Sequence, residues 1–252
     1  MVVHSVDKKS SHVIKQPYFY PDPKYGHYSL NGVNFTLMDG LFSAVVGQSK
    51  KLNYFLLLSA GREFRAKTRL LKDPEASTKN FWEYEDLGYQ RKFHASAMAV
   101  NSNGIMVFPN LEDNSIIAWN SNMPYRPENF RVIAKDVENL QFPSGVKIIG
   151  NELYLLTSRI QNVMVGNIPK DEVNYRVLVG DLEKMLVNGR PYRETSSPSN
   201  EFADRFGSEP EDVASTTTDQ TTAEESTTDS ETGSDPPENA VWEVVRNGKN
   251  GN

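Results

Sequence analysis

The fold is decided by residues 96–119, which read SAMAV-NSNG-IMVF-PNLEDNS-IIAW and alternate short apolar runs with turn signals. Each apolar run has the length of a short β-strand, and an Asn-Gly pair between two such runs is the strongest local signal for a β-hairpin. The same order recurs in a unit that begins at Ser144, where residues 162–165 are the predicted third strand, and an earlier unit begins at Ser43. The three unit starts lie 53 and 48 residues apart, which indicates an internal repeat of β-hairpins.

A second repeat lies at the end of the units, at an offset of 45 residues. Residues 129–140 (NFRVIAKDVENL) and 174–185 (NYRVLVGDLEKM) share an Asn-aromatic-Arg-Val start, an Asp and a Glu. We expect the two segments to occupy equivalent positions in their sheets, and the recurring Asp136 and Asp181 to have a structural role in the turn. A period of about 40–50 residues built from four short strands is typical of a β-propeller blade. The alternative is a β-sandwich, in which the residues shared by the two segments would be coincidental.

The sequence therefore predicts an all-β protein with an incomplete β-propeller in residues 1–193. We count about three blades plus a leading part-blade in 1–40, whereas closed propellers have about 4–8 blades. A terminal blade without a neighbour exposes an apolar face, which predicts self-association through an open blade edge. Residues 194–239 are acidic, rich in Ser and Thr and poor in aliphatic side chains, so we predict a disordered tail, either solubilising or an O-glycosylated stalk. The strand-like run 241–245 falls in a C-terminal segment, 240–252, whose position the sequence leaves open.

The 252-residue chain has a net charge of −6, but the charge is unevenly distributed. Residues 194–238 contain 13 acidic residues against a single arginine, whereas residues 1–193 carry a net charge of +5. That positive charge is spread without an Arg/Lys stripe, which argues against a nucleic-acid partner. No apolar run is long enough to span a bilayer, so we expect no membrane association, and the N-terminal residues do not predict a secretory signal. The absence of cysteine excludes disulfides, Cys-ligated zinc and thiol catalysis.

Candidate chemical groups are few. The four histidines lack the spacing of metal ligands, and no dinucleotide-binding or phosphate-binding motif is present, so we predict neither a metal site nor a cofactor. His94 is the best candidate for proton transfer, because a neutral histidine can accept a proton near pH 7. The competing interpretation, favoured by its place just before a strand, is an exposed loop histidine. Asn34, in the sequon Asn-Phe-Thr, is a predicted glycosylation site if the chain is secreted.

Five motifs in order resemble the Yellow/major royal jelly protein family of insects. They are the aromatic-Pro-Asp-Pro segment at 17–23 (PYFYPDP), the Asp-Gly motif at 32–40 (GVNFTLMDG), the strand pair within 103–120, the strand at 153–161 (LYLLTSRIQ) and the Asn-aromatic-Arg element at 174–177. The resemblance implies a six-bladed β-propeller, of which this chain corresponds to roughly the C-terminal half. It also implies a secreted, extracellular protein.

The resemblance further implies a function in cuticle pigmentation and the melanin pathway, or the binding of a small aromatic amine. One alternative is an enzyme that converts dopachrome, with His94 as its catalytic base. A second alternative is a truncated family member without activity. Strand ends converge on the axis of a propeller, and the resemblance places a small aromatic amine or a catechol-derived ligand there. The residues that we expect at this site are Phe42, His94, Phe108, Asn110, Phe142, Thr157 and Ser158.

In this predicted site, the phenylalanines would stack on the ligand ring or attract its ammonium group, and the Asn, Thr and Ser side chains would pair with ring hydroxyls. Ordinary packing between blades is the alternative interpretation of the phenylalanines. The serines at the unit starts, among them Ser96 and Ser144, are expected to relieve crowding near the axis rather than to act as nucleophiles.

Overall fold

The structure, a computed structural model, describes residues 1–194 and the backbone of residues 243–248. In chain order the strands are β1 (Val2–Ser5), β2 (Ser10–Val13), β3 (His27–Leu30), β4 (Val33–Thr36), β5 (Leu41–Val46), β6 (Leu52–Leu57), β7 (Arg62–Lys67), β8 (Tyr84–Gln90), β9 (Ala99–Val100), β10 (Ile105–Asn110), β11 (Ser115–Asn120), β12 (Phe130–Lys135), β13 (Pro143–Ile149), β14 (Glu152–Ser158), β15 (Tyr175–Asp181), β16 (Arg190–Pro191) and β17 (Glu243–Gly248).

Short helices connect some of the strands. The α-helices are α1 (Thr68–Leu71), α2 (Ala76–Lys79), α3 (Ile160–Met164) and α4 (Leu182–Asn188), and 3-10 turns lie at Pro17–Phe19, Pro23–Tyr25, Phe81–Glu83 and Pro127–Asn129. Within the two described ranges, no helix is long and apolar enough to cross a membrane. The tail predicted at 194–239 lies outside the described residues except for Glu194.

Three antiparallel sheets form the body of the chain. The first has the strand order β5-β6-β7-β8, the second β9-β10-β11-β12 with β16 beside β12, and the third β13-β14-β15-β17. A four-stranded antiparallel sheet whose strands follow one another in the chain is the blade of a β-propeller, so the predicted all-β, incomplete propeller is confirmed. β17 pairs antiparallel with β15, which gives part of the C-terminal segment a place at the edge of the third sheet.

The unit starts recur as predicted, but the 45-residue repeat does not mark equivalent strands. β12 is the fourth strand of its sheet, whereas β15 is the third strand of its own. The expectation of equivalent positions is therefore wrong. It failed because residues 162–165, predicted as a third strand, lie in and directly after helix α3. A short apolar run does not by itself distinguish a strand from a helical turn.

The two repeated segments share the turn that follows the strand. The Asp136 carboxylate accepts hydrogen bonds from the backbone amides of Glu138 and Asn139 at 3.0 and 2.9 Å. The Asp181 carboxylate accepts from the amide of Lys184 at 3.1 Å and caps α4. The predicted structural role of both aspartates is therefore confirmed. An Asp that bonds the backbone two or three residues later explains the sequence similarity without equivalent strands.

Side chains alternate along each strand, so the second sheet packs against both of its neighbours. We call the contact between the first and second sheets the aromatic junction, whose buried residues are Tyr54, Leu56, Phe93, Ala95, Met98, Met106, Phe108, Ile117, Trp119, Tyr125 and Phe130. We call the contact between the second and third sheets the aliphatic junction, whose buried residues are Val107, Ile116, Ala118, Ile133, Ala134, Leu140, Leu153, Leu155, Leu178, Leu182 and Met185.

The leading segment covers two different surfaces. The β1–β2 hairpin, the turn at Pro17–Phe19 and helix α1 cover the outer face of the first sheet, where the buried residues are Ile14, Phe19, Phe55, Leu57, Ala60, Phe64, Ala66, Leu70, Leu71 and Tyr84. The β3–β4 hairpin instead lies across the ends of the sheets. Its Tyr28 and Leu30 form a cluster with Leu58 at the end of the first sheet, Leu111 at the end of the second and Phe142 at the start of the third.

Candidate functional site

His94 lies at the end of the second sheet beneath the β3–β4 hairpin and is only 7% exposed. The interpretation as an exposed loop histidine is therefore wrong. Its ring Nε2 donates to the carbonyl oxygen of Tyr25 at 2.9 Å. Its Nδ1 is bonded to the Glu112 carboxylate, whose other oxygen accepts from the His94 amide at 2.9 Å. Because a carbonyl oxygen only accepts, Nε2 must carry a hydrogen.

This arrangement decides what the imidazole can do. Both ring nitrogens of His94 are engaged with protein oxygens. A general base needs a free lone pair within reach of the proton that it removes. In this geometry, His94 holds the leading segment to the sheet ends and orients Glu112, and it presents no free nitrogen to a substrate.

The ring of Tyr28 covers the imidazole of His94. Its ring stacks on the imidazole with centroids 3.9 Å apart, and on its other neighbour, Phe35, at 5.0 Å. The Tyr28 hydroxyl is hydrogen-bonded to Ser59 Oγ at 2.7 Å, and Ser59 in turn donates to the Leu37 carbonyl at 2.8 Å. Burial raises the pKa of Tyr28 above its usual value, so the phenol remains neutral.

The tip of the hairpin is held by a reciprocal pair of amides. The Asn31 Nδ2 donates to Asn114 Oδ1 at 3.3 Å, and Asn114 Nδ2 donates back to Asn31 Oδ1 at 2.8 Å. Both asparagines have a positive φ, of 51° and 48°, in the left-handed region that Asn tolerates better than most residues. The hairpin is thus fixed at its tip, along its middle and at its base.

The structure brings only some of the predicted site residues together. His94 stacks against Tyr28, and Phe142 belongs to the same buried cluster as Tyr28. Thr157 and Ser158 end β14, where Thr157 pairs with Pro143 and the Ser158 amide donates to the Phe142 carbonyl at 3.3 Å.

The other three predicted residues have different surroundings. Asn110 is buried at the end of β10, where its side chain accepts from the Asp113 amide at 3.3 Å. Phe108 packs inside the aromatic junction between the first and second sheets. Phe42 lies in the irregular part of β5 and is 37% exposed, so its ring is open to solvent.

Sequence reasoning missed Tyr28, Ser59 and Glu112, which contact one another or His94 in this cluster. The aromatic content of residues 17–28 was the available signal for Tyr28, but nothing in the sequence locates a hairpin above residues far away in the chain. Within the described residues, no group of three or more His, Asp or Glu side chains is placed to hold a metal ion.

A buried ion pair lies next to this cluster and also escaped the sequence analysis. Arg91 Nε donates to Glu63 Oε1 at 2.5 Å, and the guanidinium also donates to the carbonyls of Phe93 and Ala60 at 2.5 and 2.9 Å. Both side chains are almost completely buried. Burial raises the pKa of Glu63, and the positive charge of Arg91 opposes that change. Tyr25 Oη donates to the Arg91 carbonyl at 2.5 Å, which links the pair to the leading segment.

Comparisons with known proteins agree with the predicted family. Residues 1–190 match the family described as major royal jelly protein. Protein yellow of Drosophila melanogaster is 26% identical over 178 residues, which are 68% of this chain and 33% of that protein. Protein yellow of Drosophila pseudoobscura pseudoobscura is 27% identical over 180 residues, with 68% and 32% covered. The chain thus spans about a third of the length of these relatives.

Among solved structures, the crystal structure of a nidogen/laminin complex superposes with a TM-score of 0.40 at 10% identity, over 62% of this chain and 53% of that one. The family match extends over both leading hairpins and over the strands from β5 to β15. The chain belongs to the major royal jelly protein family, to which its motifs and its blade-like sheets had pointed.

Proposed function

We propose that the chain acts as a secreted, Yellow-type protein that binds a small aromatic amine or a catechol-derived compound in cuticle pigmentation. Kinship with proteins named Protein yellow supports the general assignment. The observation that favours binding over catalysis concerns His94. Its two ring nitrogens are already engaged, one by the Glu112 carboxylate and the other by the Tyr25 carbonyl. A protein that binds without turnover does not need a free base at this position.

The groups available to a ligand at this end of the sheets suit an aromatic amine. Phe42 offers an exposed ring, and an ammonium group over such a ring gains about 0.5–2 kcal/mol. Ser158 is partly exposed at the end of β14 and supplies a hydroxyl for a phenolic partner. Asn110, Thr157 and Phe142 are buried at this end of the sheets.

Calorimetric titration with dopamine and with serotonin tests the binding proposal. We expect saturable binding that Phe42→Ala weakens by about 2- to 30-fold, the equivalent of the loss of one cation–π contact. Phe81→Ala is the matched control, because Phe81 is also exposed, at 54%, but lies beyond the third strand of the first sheet. Absence of binding, or an equal loss in both variants, would contradict the proposed site.

Dopachrome conversion is the second candidate. The observation in its favour is the contact between His94 and Glu112, because an imidazole beside a carboxylate is a combination that enzymes use for proton transfer. A dopachrome-decay assay on the wild type and on His94→Gln separates the two functions. The binding proposal expects no turnover in either protein. Turnover that His94→Gln abolishes while dopamine binding persists would establish the enzyme instead. A chain with neither binding nor turnover would fit a family member without activity.

Secretion and glycosylation form a separate part of the proposal. Asn34 and Thr36 are both exposed on β4, so the sequon is accessible to a glycosyltransferase. We expect protein recovered from its source tissue to lose mass on treatment with an N-glycosidase. In insect-cell expression behind a secretory leader, Thr36→Ala should remove the glycan and Thr36→Ser should retain it. A native protein without a glycan at Asn34 would argue against passage through the secretory route.

A further inference from the structure

The third sheet acquires its fourth strand in a different way from the other two sheets. In the first sheet β8 is the next strand after β7, and in the second β12 is the next strand after β11. After β15, however, the chain forms helix α4 and then β16, which pairs with β12 of the second sheet. The strand beside β15 is β17, which comes only after residues 195–242. The third sheet is therefore completed by a segment that is distant in the sequence.

Strand β17 covers the outer edge of β15. The two strands pair antiparallel at five positions, from Tyr175 opposite Gly248 to Val179 opposite Glu243. The other edge of β15 is paired with β14 along all seven of its residues. An uncovered strand edge presents a row of unpaired backbone N–H and C=O groups and is a template for another strand. The edge of β15 is thus a site that recognises an extended segment through main-chain hydrogen bonds.

The elements that follow β15 in the chain are anchored elsewhere and do not provide this strand. Helix α4 contributes Leu182 and Met185 to the aliphatic junction, and β16 is paired with β12 at two positions. β17 lies at the end of its sheet, and within the described residues it pairs with no strand other than β15. The departure of β17 would therefore break a single ladder and no other strand pairing.

This connectivity makes β17 a tethered ligand of β15. Residues 192–242 connect it to β16, and the entropic cost of closing such a connection rises only slowly with its length. A tether raises the effective concentration of the strand but adds no contact with β15. The same strand supplied by a second copy would form the same ladder, because main-chain pairing does not depend on the connection.

We propose that the edge of β15 is a docking site for β17, and that β17 of one copy can occupy the edge of β15 in another. The site binds the strand antiparallel, in the register that places Val244 opposite Leu178. At low concentration the chain's own β17 occupies the site, and β17 of a second copy competes for it as the concentration rises. Exchange of an identical element in this way is a low-cost route to self-association.

A cut chain tests whether β17 binds without its tether. A site for a sequence-specific protease replaces residues 216–222, and the full chain is cleaved after it has folded. We expect the C-terminal fragment to remain bound to the body in size-exclusion chromatography. A fluorescent peptide of residues 240–252 should displace the fragment and bind saturably. The uncut chain should bind the peptide at least about tenfold more weakly, because its own strand competes.

Proline substitutions in the peptide test the ladder itself. Val244 and Arg246 lie opposite Leu178 and Val177, and neighbouring residues of a strand direct their amides to opposite sides. At least one proline of Val244→Pro/Arg246→Pro therefore removes an amide that faces β15. We expect this peptide to bind about tenfold more weakly than the wild-type peptide, since a lost hydrogen bond and the fixed φ of proline both oppose pairing.

The matched control carries its two prolines beyond the end of β17, as Asn250→Pro/Asn252→Pro. This peptide should bind like the wild type. The same two pairs of substitutions in the full chain show where the strand binds. Amide hydrogen exchange in β15 should rise in Val244→Pro/Arg246→Pro and stay unchanged in the control.

The peptide experiment uses the wild-type body, so it does not depend on the folding of the full-length proline variants. A fragment that leaves the body on cleavage, together with a peptide that does not bind, overturns the proposal. Equal binding of the two proline peptides overturns it as well, because the ladder would then not hold the segment. The same conclusion follows if β15 exchanges equally in both full-length variants.

Discussion

The two junctions between sheets are built from different chemistry. In the aromatic junction, Trp119 and Tyr125 meet edge-on with ring centroids 4.9 Å apart, as do Phe108 and Phe130 at 5.7 Å, and Tyr125 and Phe130 form a tilted pair at 4.9 Å. The aliphatic junction consists of Val, Ile, Leu, Ala and Met side chains. Tyr and Trp bring polar groups into the first junction, and these need partners, as when Trp119 Nε1 donates to the Pro124 carbonyl at 3.2 Å.

Because of this difference, we expect substitutions to destabilise the two junctions for different physical reasons. The aromatic junction borders a buried ion pair, Glu63 and Arg91, so the removal of one charge leaves the other without compensation. The aliphatic junction borders a buried arginine, Arg176, but the carboxylate of its partner Glu138 is exposed, so no ion pair is buried there. A shortened side chain in this junction costs the free energy of the lost contacts and the cavity. The predictions below separate these two kinds of failure, in order of decreasing effect.

Arg91→Met should cause the largest decrease in the free energy of unfolding. It removes the charge that opposes the desolvation of Glu63 and three hydrogen bonds to Glu63, Phe93 and Ala60. Breaking a buried ion pair by removing one partner lowers the free energy of unfolding by about 3–5 kcal/mol. Urea denaturation at neutral pH measures the change.

Two further measurements test whether this loss of stability comes from the unpaired charge of Glu63. The double variant Glu63→Leu/Arg91→Met should recover much of the stability, because it leaves no buried charge. Burial raises the pKa of Glu63, so the stability linked to this carboxyl group is present at acid pH and is lost as pH rises through its raised pKa. The deficit of Arg91→Met should therefore shrink in acid. A deficit that is independent of pH and persists in the double variant would assign the effect to packing.

Leu178→Ala, a substitution in the aliphatic junction, should cause the next largest decrease in the free energy of unfolding. Leu178 is fully buried on β15. Truncation of such a leucine lowers the free energy of unfolding by about 2–5 kcal/mol, depending on how far the surroundings collapse. Val177→Ala is the matched control, because Val177 is the adjacent residue on the other side of β15 and is only half-buried. A loss for Val177→Ala as large as that for Leu178→Ala would contradict the assignment of the effect to the buried aliphatic junction.

The sheets could be predicted from the sequence because their signals are local. Turn dipeptides and the alternation of apolar residues specified β10, β11 and β14 without reference to the rest of the chain. Residues 162–165 were assigned wrongly because their apolar pattern also fits a helical turn, and the strand that takes their place, β15, comes after α3. The aspartates of the 45-residue repeat were a reliable sign of turn chemistry and an unreliable sign of strand order.

The candidate site could be predicted only in part because it depends on distant contacts. The placement of His94 at a strand end was correct, but its partners Tyr25 and Glu112 lie 69 and 18 residues away. The β3–β4 hairpin covers the ends of three sheets, and no periodicity in the sequence encodes that position. Phe108 was expected at the axis, whereas the alternation along β10 points its ring into the aromatic junction.

The serines at the unit starts extend the comparison to single hydrogen bonds. Ser43 forms one across the aromatic junction, and Ser96 forms one across the aliphatic junction. Ser43→Ala removes the acceptor of the Met98 amide, and Ser96→Ala removes the donor to the Pro143 carbonyl. A buried polar group left without a partner costs about 1–3 kcal/mol, and we expect both variants in this range. Ser144→Ala should change the free energy of unfolding by less than about 0.5 kcal/mol, because its hydrogen bond is exposed. Equal effects of all three would contradict the proposed role of these serines between sheets.

Asp181→Ala should have a smaller effect than the substitutions of buried residues, and pH identifies its origin. Asp181 caps α4, the helix that contributes Leu182 and Met185 to the aliphatic junction, and the hydrogen bond from the Lys184 amide lowers the pKa of its carboxyl group. A lowered pKa in the folded state means that the stabilisation is present above the unfolded value, near pH 4, and is lost as pH falls through the folded value. The difference in unfolding temperature between the wild type and Asp181→Ala should therefore be clear at pH 7 and vanish in stronger acid. Arg91→Met should follow a different course, because its deficit reflects a carboxyl group whose pKa is raised. If both deficits declined in the same pH interval, the distinction between a charge-dependent aromatic junction and a capped aliphatic junction would be lost.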